Sequence, residues 1–168
     1  ADQSLDRMVA LMSDLLEAGR RDEETEVVAI RPIDYGEALR RVLETFNGEL
    51  QASGSALSVE VEGDVEGEGD DVLFAQMVTN LLSNAVKYGE GQPIEVALSG
   101  EAEAIRLTVR DHGIGIAAEE RDTIFGRFHR AHAADETDSY GLGLWIVKKA
   151  VDTLGGTIEL DSTPGDGT

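Results

Sequence analysis

Asn80, Asn84 and Lys87 recur at intervals of four and three within QMVTNLLSNAVKYG, residues 76–89, which is the spacing of one helix face. With Gln76 and Ser83 they form a stripe of amides, a hydroxyl and one cation, opposite an apolar stripe of Phe74, Val78, Leu81, Leu82 and Ala85. An amphipathic helix with a solvated polar face is the plain explanation. Asparagine is a poor helix former, however, and a solvated face would more cheaply hold Glu, Lys or Arg. A second residue with chemical potential is Asp111, which shares the parity of Ile105, Leu107 and Val109 in an alternating run and so points to the same inner face. A carboxylate at the inner end of a strand needs a hydrogen-bond donor or a counter-charge.

The charge pattern sharpens this. The 168-residue chain has a net charge of −20, yet three stretches hold no acid: Val72 to Gly89, Ile124 to Ala134 and Ser139 to Val151. The last two carry Arg127, Arg130, Lys148 and Lys149. If these islands converge in space they make a local anion site in a protein whose overall field would repel phosphate. The same net charge argues against non-specific binding to nucleic acid or anionic membrane. There is no cysteine, so disulfides and thiolate metal sites are excluded. No run approaches membrane-spanning length, and a cytoplasmic setting is expected.

The elements that must position these residues follow from periodicity. Residues 4–20 predict a helix with a wide apolar stripe, suited to a partner helix. Glu26 to Ile33 predicts an edge strand, Asp34 caps a helix to about Ala52, and Leu57 to Val61 alternates as a strand. GDVEGEGDD reads as a turn region before the central helix. Ile94 to Leu98 and Ala104 to Asp111 predict a hairpin. His112 to Tyr140 is a long connection and a lid candidate, with helical content around Ala118 to Phe128. GLGLWIVKKAVDTLGG predicts a helix starting near Gly141, then a strand over Thr157 to Asp161 and a turn, STPGDGT.

The ordered motifs NLLSNAVKY, DHGIGI, IFGRF and GLGLWIV, with GDGT at the end, resemble the ATP-binding catalytic domain of sensor histidine kinases. These kinases share a wider GHKL ATPase fold with gyrase and heat-shock chaperones, and the resemblance spans nearly all of residues 27–168. It implies an α/β (α+β) two-layer sandwich of the Bergerat type with a mixed sheet, plus a protruding N-terminal helix. It also implies ATP and Mg2+ as cofactors. By that resemblance Asp111 accepts from the adenine amine, and Gly113 and Gly115 let the backbone approach the base. Asn84 is the magnesium ligand, while Asn80 and Lys87 extend the stripe toward phosphate. Tyr88 and Ile116 line the pocket, and Gly141, Leu142, Gly143 and Leu144 open a helix whose amides meet phosphate. Phe128 anchors the lid with Phe125, and Arg130 reaches the terminal phosphate. Asn80, Lys87 and Arg130 are the implied catalytic set. Ser139, Tyr140 and Gly126 depart from the family's pattern.

Residues 1–24 resemble the second helix of the same family's dimerisation and phosphotransfer region, and 25–168 the catalytic domain. The implied activity is autophosphorylation of a histidine on an upstream helix, then relay to a response-regulator receiver domain, in a homodimer formed through the N-terminal helix. His112, His129 and His132 lie in or beside the nucleotide motifs and are poor acceptors. The competing readings are an anti-sigma-type serine kinase and a non-enzymatic dimerisation or regulatory module with a degenerate nucleotide site.

Overall fold

The computed structural model describes residues 28–102, 104–127 and 141–168. The expected N-terminal helix and the positions of Phe128, His129, Arg130 and His132 lie outside the described residues.

The described chain is a mixed α/β structure. Its order is β1 (Arg31–Asp34), α1 (Tyr35–Thr45), α2 (Asn47–Ser53), β2 (Leu57–Glu62), β3 (Glu66–Gly69), α3 (Asp71–Tyr88), β4 (Ile94–Glu101), β5 (Ala104–Asp111) and α4 (Gly143–Thr153). The main sheet runs β2-β4-β5, with β2 parallel and β5 antiparallel to β4. Ile94, Val96 and Leu98 alternate onto one face of β4 and are buried against Leu39 of α1 and Val78 and Leu82 of α3. Burying each such side chain contributes on the order of 2 kcal/mol. That apolar face holds α3 by its inner stripe and leaves its amide stripe outward.

Four expectations change. The helix after Asp34 breaks at Phe46 into α1 and α2. The glycine-rich run read as a turn contains β3, which pairs antiparallel with β1. Its EGEG sequence has no alternating apolar residues to reveal it, and the pairing is carried by backbone groups. The expected strand over Thr157 to Asp161 joins no ladder among the described residues; only the bridge Thr163–Gly167 forms in the turn that follows. The segment around Ala118 is a series of turns, closed by bonds such as Ile124 N–H to Glu120 O at 3.0 Å, and not a regular helix.

Asp70 fixes the start of α3. Its Oδ1 accepts from the backbone N–H of Val72 at 2.9 Å and Leu73 at 3.1 Å, and its Oδ2 accepts from Ala29 N–H at 2.9 Å. Burial raises the carboxyl's pKa, but these three donors and Arg31 outweigh it, so the net shift is downward. Asp70→Ala removes a cap and strands buried donors, an expected loss of about 2–3 kcal/mol, read by urea unfolding. Because the folded pKa is depressed, this contribution is present above the unfolded value and lost as pH falls through the folded one. The gap between wild type and variant should therefore close in acid.

Candidate functional site

The site begins with the polar stripe of α3. Asn80 Nδ2 donates to Gln76 O at 2.9 Å, one turn back, which turns its Oδ1 outward. The first turn of α4 lies against it: a Cβ at Gly143 would sit 3.2 Å from Asn80 Oδ1 and 3.7 Å from Asn84 Oδ1. Glycine is what lets the two helices come this close. The N-cap of α4, Leu142, makes no side-chain cap bond, and the first turn holds no acid. The N–H groups without a side-chain cap and the dipole make this end of α4 attractive to an anion. Leu142, Ile146, Val147 and Ala150 bury the other side of the helix. Two of the acid-free islands thus meet. The third contributes Phe125, which lines the same cavity, and Arg127, which stacks on Trp145 of α4.

Asp111 closes the far end. It is 9% exposed, pairs across the sheet with Ile94 and points inward, as its parity predicts. Its Oδ1 accepts from Gly113 N–H at 2.9 Å. Burial pushes the carboxyl's pKa up, and bonds from Gly113 and Thr168 with the nearby His112 only partly oppose this. His112 itself bonds Glu95 through Nε2 at 2.7 Å.

The glycines of DHGIGI serve the protein's own packing. A Cβ at Gly113 would fall 1.9 Å from Tyr88 O, and one at Gly115 2.1 Å from Thr163 O; Gly115 also has φ +65°. A side chain at either position would collide with the protein's own backbone, so both must be glycine whatever occupies the cavity. Gly113→Ala should therefore cost about 3 kcal/mol or more, whereas Gly48→Ala, with nothing within 4 Å, should not destabilise its helix. Comparing their unfolding midpoints checks this.

The turn at the end of the chain was not singled out for the site by sequence, yet it frames Asp111. Buried Ser162 accepts from Ile116 N–H at 2.8 Å, donates to Gly167 O at 2.8 Å and meets Thr168 Oγ1 at 2.9 Å. Asp111 N–H donates to Thr168 O at 2.9 Å. A serine between strand-like and glycine-rich residues was the signal available. It carries no charge and looks like any turn residue.

Asn80, Asn84, Tyr88, Asp111, Gly115, Ile116 and Gly141 through Leu144 line one cavity of about 1870 Å3. This exceeds the few hundred to one thousand Å3 of most ligand sites, because the hollow continues along Leu107 and Val109 of β5 to Ile158 and Leu160. Lys87 is not among the lining residues; its Nζ lies 5.1 Å from the ring centroid of Tyr88, which is. Among the described residues no group of three or more His, Asp or Glu side chains could hold a metal ion alone. The donors present are neutral amide oxygens. They suit an ion that arrives with phosphate oxygens and keeps its waters, as magnesium does.

Residues 69–168 match the family model described as histidine kinase-, DNA gyrase B- and HSP90-like ATPase. The chain is similar to the sensor protein IrlS of Burkholderia pseudomallei, 33% identical over 94% of this chain and 34% of that protein. It is also similar to the sensor histidine kinase MtrB of Mycolicibacterium paratuberculosis, 28% identical over 98% of this chain and 30% of the relative. It thus spans about a third of the length of these relatives. Among solved structures, full-length ShkA in complex with AMPPNP superposes with a TM-score of 0.86 at 27% identity, covering 98% of this chain and 35% of that one.

Proposed function

This chain belongs to the histidine kinase-, DNA gyrase B- and HSP90-like ATPase family, and on that premise we propose that it is the ATP-binding catalytic part of a two-component sensor histidine kinase. The observation that carries the reading is one cavity with a buried carboxylate, Asp111, at one end and two amides facing an uncapped helix N-terminus at the other. A buried acceptor selects an exocyclic amine, and the opposite pole attracts phosphates. In this reading Asp111 receives the adenine amine, and a guanine carbonyl there would meet an acceptor. Tyr88 and Ile116 flank the base. Asn84 would hold Mg2+ by its oxygen, which would neutralise triphosphate charge, and Asn80, one turn earlier, extends the polar stripe toward phosphate.

In the same reading Lys87 and Arg130 would supply cations to the phosphates, with Phe128 and Arg130 assigned by the family resemblance alone. The γ-phosphoryl passes to a histidine on an upstream helix, with ADP leaving, and then to the aspartate of a response regulator. Residues 1–24 would be the second helix of the dimerising phosphotransfer region, placed on the cytoplasmic side. The alignment to the sensor histidine kinase MtrB, which covers 98% of this chain, supports including that segment. No helix among the described residues is long and apolar enough to cross a membrane.

Calorimetric titration with ATP and GTP analogues, with and without magnesium, tests the reading. Adenine-selective binding that magnesium strengthens is expected. A folded chain that binds neither analogue, or both equally, would overturn it. A phosphoacceptor helix added in trans then tests transfer.

A further inference from the structure

Arg127 and Trp145 meet beside the cavity wall. The guanidinium carbon lies 4.3 Å from the centroid of the indole ring, well within cation–π range, and indole is the strongest of the aromatic partners. Arg127 follows the lining residue Phe125 by two positions, and Trp145 follows the lining residue Leu144 by one. Neither stacked residue lines the cavity itself; the stack ties together the two segments that carry these lining residues, the one after β5 and the first turn of α4. Trp145 is the third residue of α4, and helical side chains lean back toward the N-terminus. Ring and guanidinium are thereby brought to the positive end of a helix whose first turn has no acid and whose N-cap makes no side-chain bond. A cation set beside that pole adds to its pull on an anion.

We infer that Trp145 is a positioning residue for the triphosphate: its ring holds the Arg127 guanidinium at the N-terminal turn of α4, so that cation and helix pole act on the same phosphates. The inference rests on the nucleotide reading above. It concerns the phosphate end alone, so removing the stack should leave recognition of the base at Asp111 unchanged.

The test titrates the chain and its variants Trp145→Ala, Trp145→Phe, Arg127→Gln, Arg127→Lys and the double Trp145→Ala/Arg127→Gln with two ligands, a magnesium ATP analogue and adenosine. Trp145→Ala and Arg127→Gln should each weaken the triphosphate by about five- to tenfold and leave adenosine within about twofold. The double variant should be no weaker than either single one, because the two groups act as a unit. Trp145→Phe and Arg127→Lys should recover most of the loss. Arg127 is exposed, so Arg127→Gln keeps the question decidable if Trp145→Ala does not fold. Trp145 is the sole tryptophan, and its emission in the absence of ligand should also change on Arg127→Gln. Equal losses for both ligands, additive losses in the double variant, or unchanged triphosphate affinity would overturn the inference while leaving the nucleotide reading standing. A wild-type chain that binds neither ligand would overturn both.

Discussion

Asp111→Asn should lower affinity for an ATP analogue by about a hundredfold while making the fold more stable. The first half follows from the orientation of the carboxylate. One oxygen, Oδ1, already accepts from Gly113 N–H at 2.9 Å, and the Thr168 backbone N–H also bonds the carboxylate, so both donors favour keeping an oxygen toward them. An asparagine would keep its oxygen there, because turning over would set its amide against that N–H. Its NH2 group would then occupy the place of the second oxygen and confront the adenine amine, donor to donor. A charge-assisted bond is lost and a buried donor left unmade, together worth about 3 kcal/mol. A guanine carbonyl would now meet a donor, so preference between the bases should narrow or reverse. Titration with paired ATP and GTP analogues measures this; unaltered adenine preference in a folded variant would sink the role given to Asp111.

The stability gain has the opposite origin. Burial raises the Asp111 pKa in the folded chain, so the ionised carboxylate is an unfavourable feature of the native state. That cost is fully present above the folded pKa and disappears as pH falls below the unfolded one. Asparagine never carries it. The variant's higher unfolding midpoint at neutral pH should therefore shrink toward the wild-type value in acid. A site that costs stability and confers selectivity is expected where function, not packing, sets the residue.

How much of this was legible in advance depended on which force fixed each part. Asp111 could be aimed from parity alone because a strand alternates strictly, and its three apolar neighbours declared the inner face. The convergence of the acid-free stretches was legible for a similar reason: an electrostatic site excludes like charge wherever the chain passes through it. Gly143, where an added Cβ would meet Asn80 Oδ1 at 3.2 Å, and Arg127 stacked on Trp145 are that convergence in atomic terms. β3 was not legible, since EGEG contributes backbone and no side-chain pattern. The break at Phe46 escaped because the periodicity of an amphipathic helix continues across a short irregularity. The packing of Gly113 against Tyr88 O was not legible either, because a glycine reveals that something is close without saying what. Ser162 and Thr168 were invisible because a neutral hydroxyl in a turn has no pattern to break.

Asn84→Ala should abolish the part of nucleotide binding that depends on magnesium, about a hundredfold at saturating metal, and change binding without metal little. The geometry distinguishes the two asparagines of α3. Asn80 spends its NH2 on Gln76 O, so its oxygen faces Gly143 in a fixed orientation. The Asn84 carboxamide lies 3.7–3.8 Å from where a Cβ at Gly143 would sit, on the side of the stripe that faces the cavity, and can turn its oxygen to whatever enters. Both oxygens are neutral. Beside the positive end of α4 they offer hard ligands without repelling a triphosphate, which a carboxylate would do. Two variants separate these properties. Asn84→Asp keeps an oxygen ligand and adds a charge, so it should retain dependence on magnesium and still bind the nucleotide about tenfold more weakly. Asn84→Ala has neither oxygen nor charge, and should bind equally with and without the metal. Calorimetry across a magnesium series reads both, and phosphoryl transfer to an acceptor helix supplied in trans should fall in the same order. If Asn84→Ala loses the same factor with and without magnesium, Asn84 contacts the nucleotide directly or shapes α3, and the metal falls to Asn80 alone.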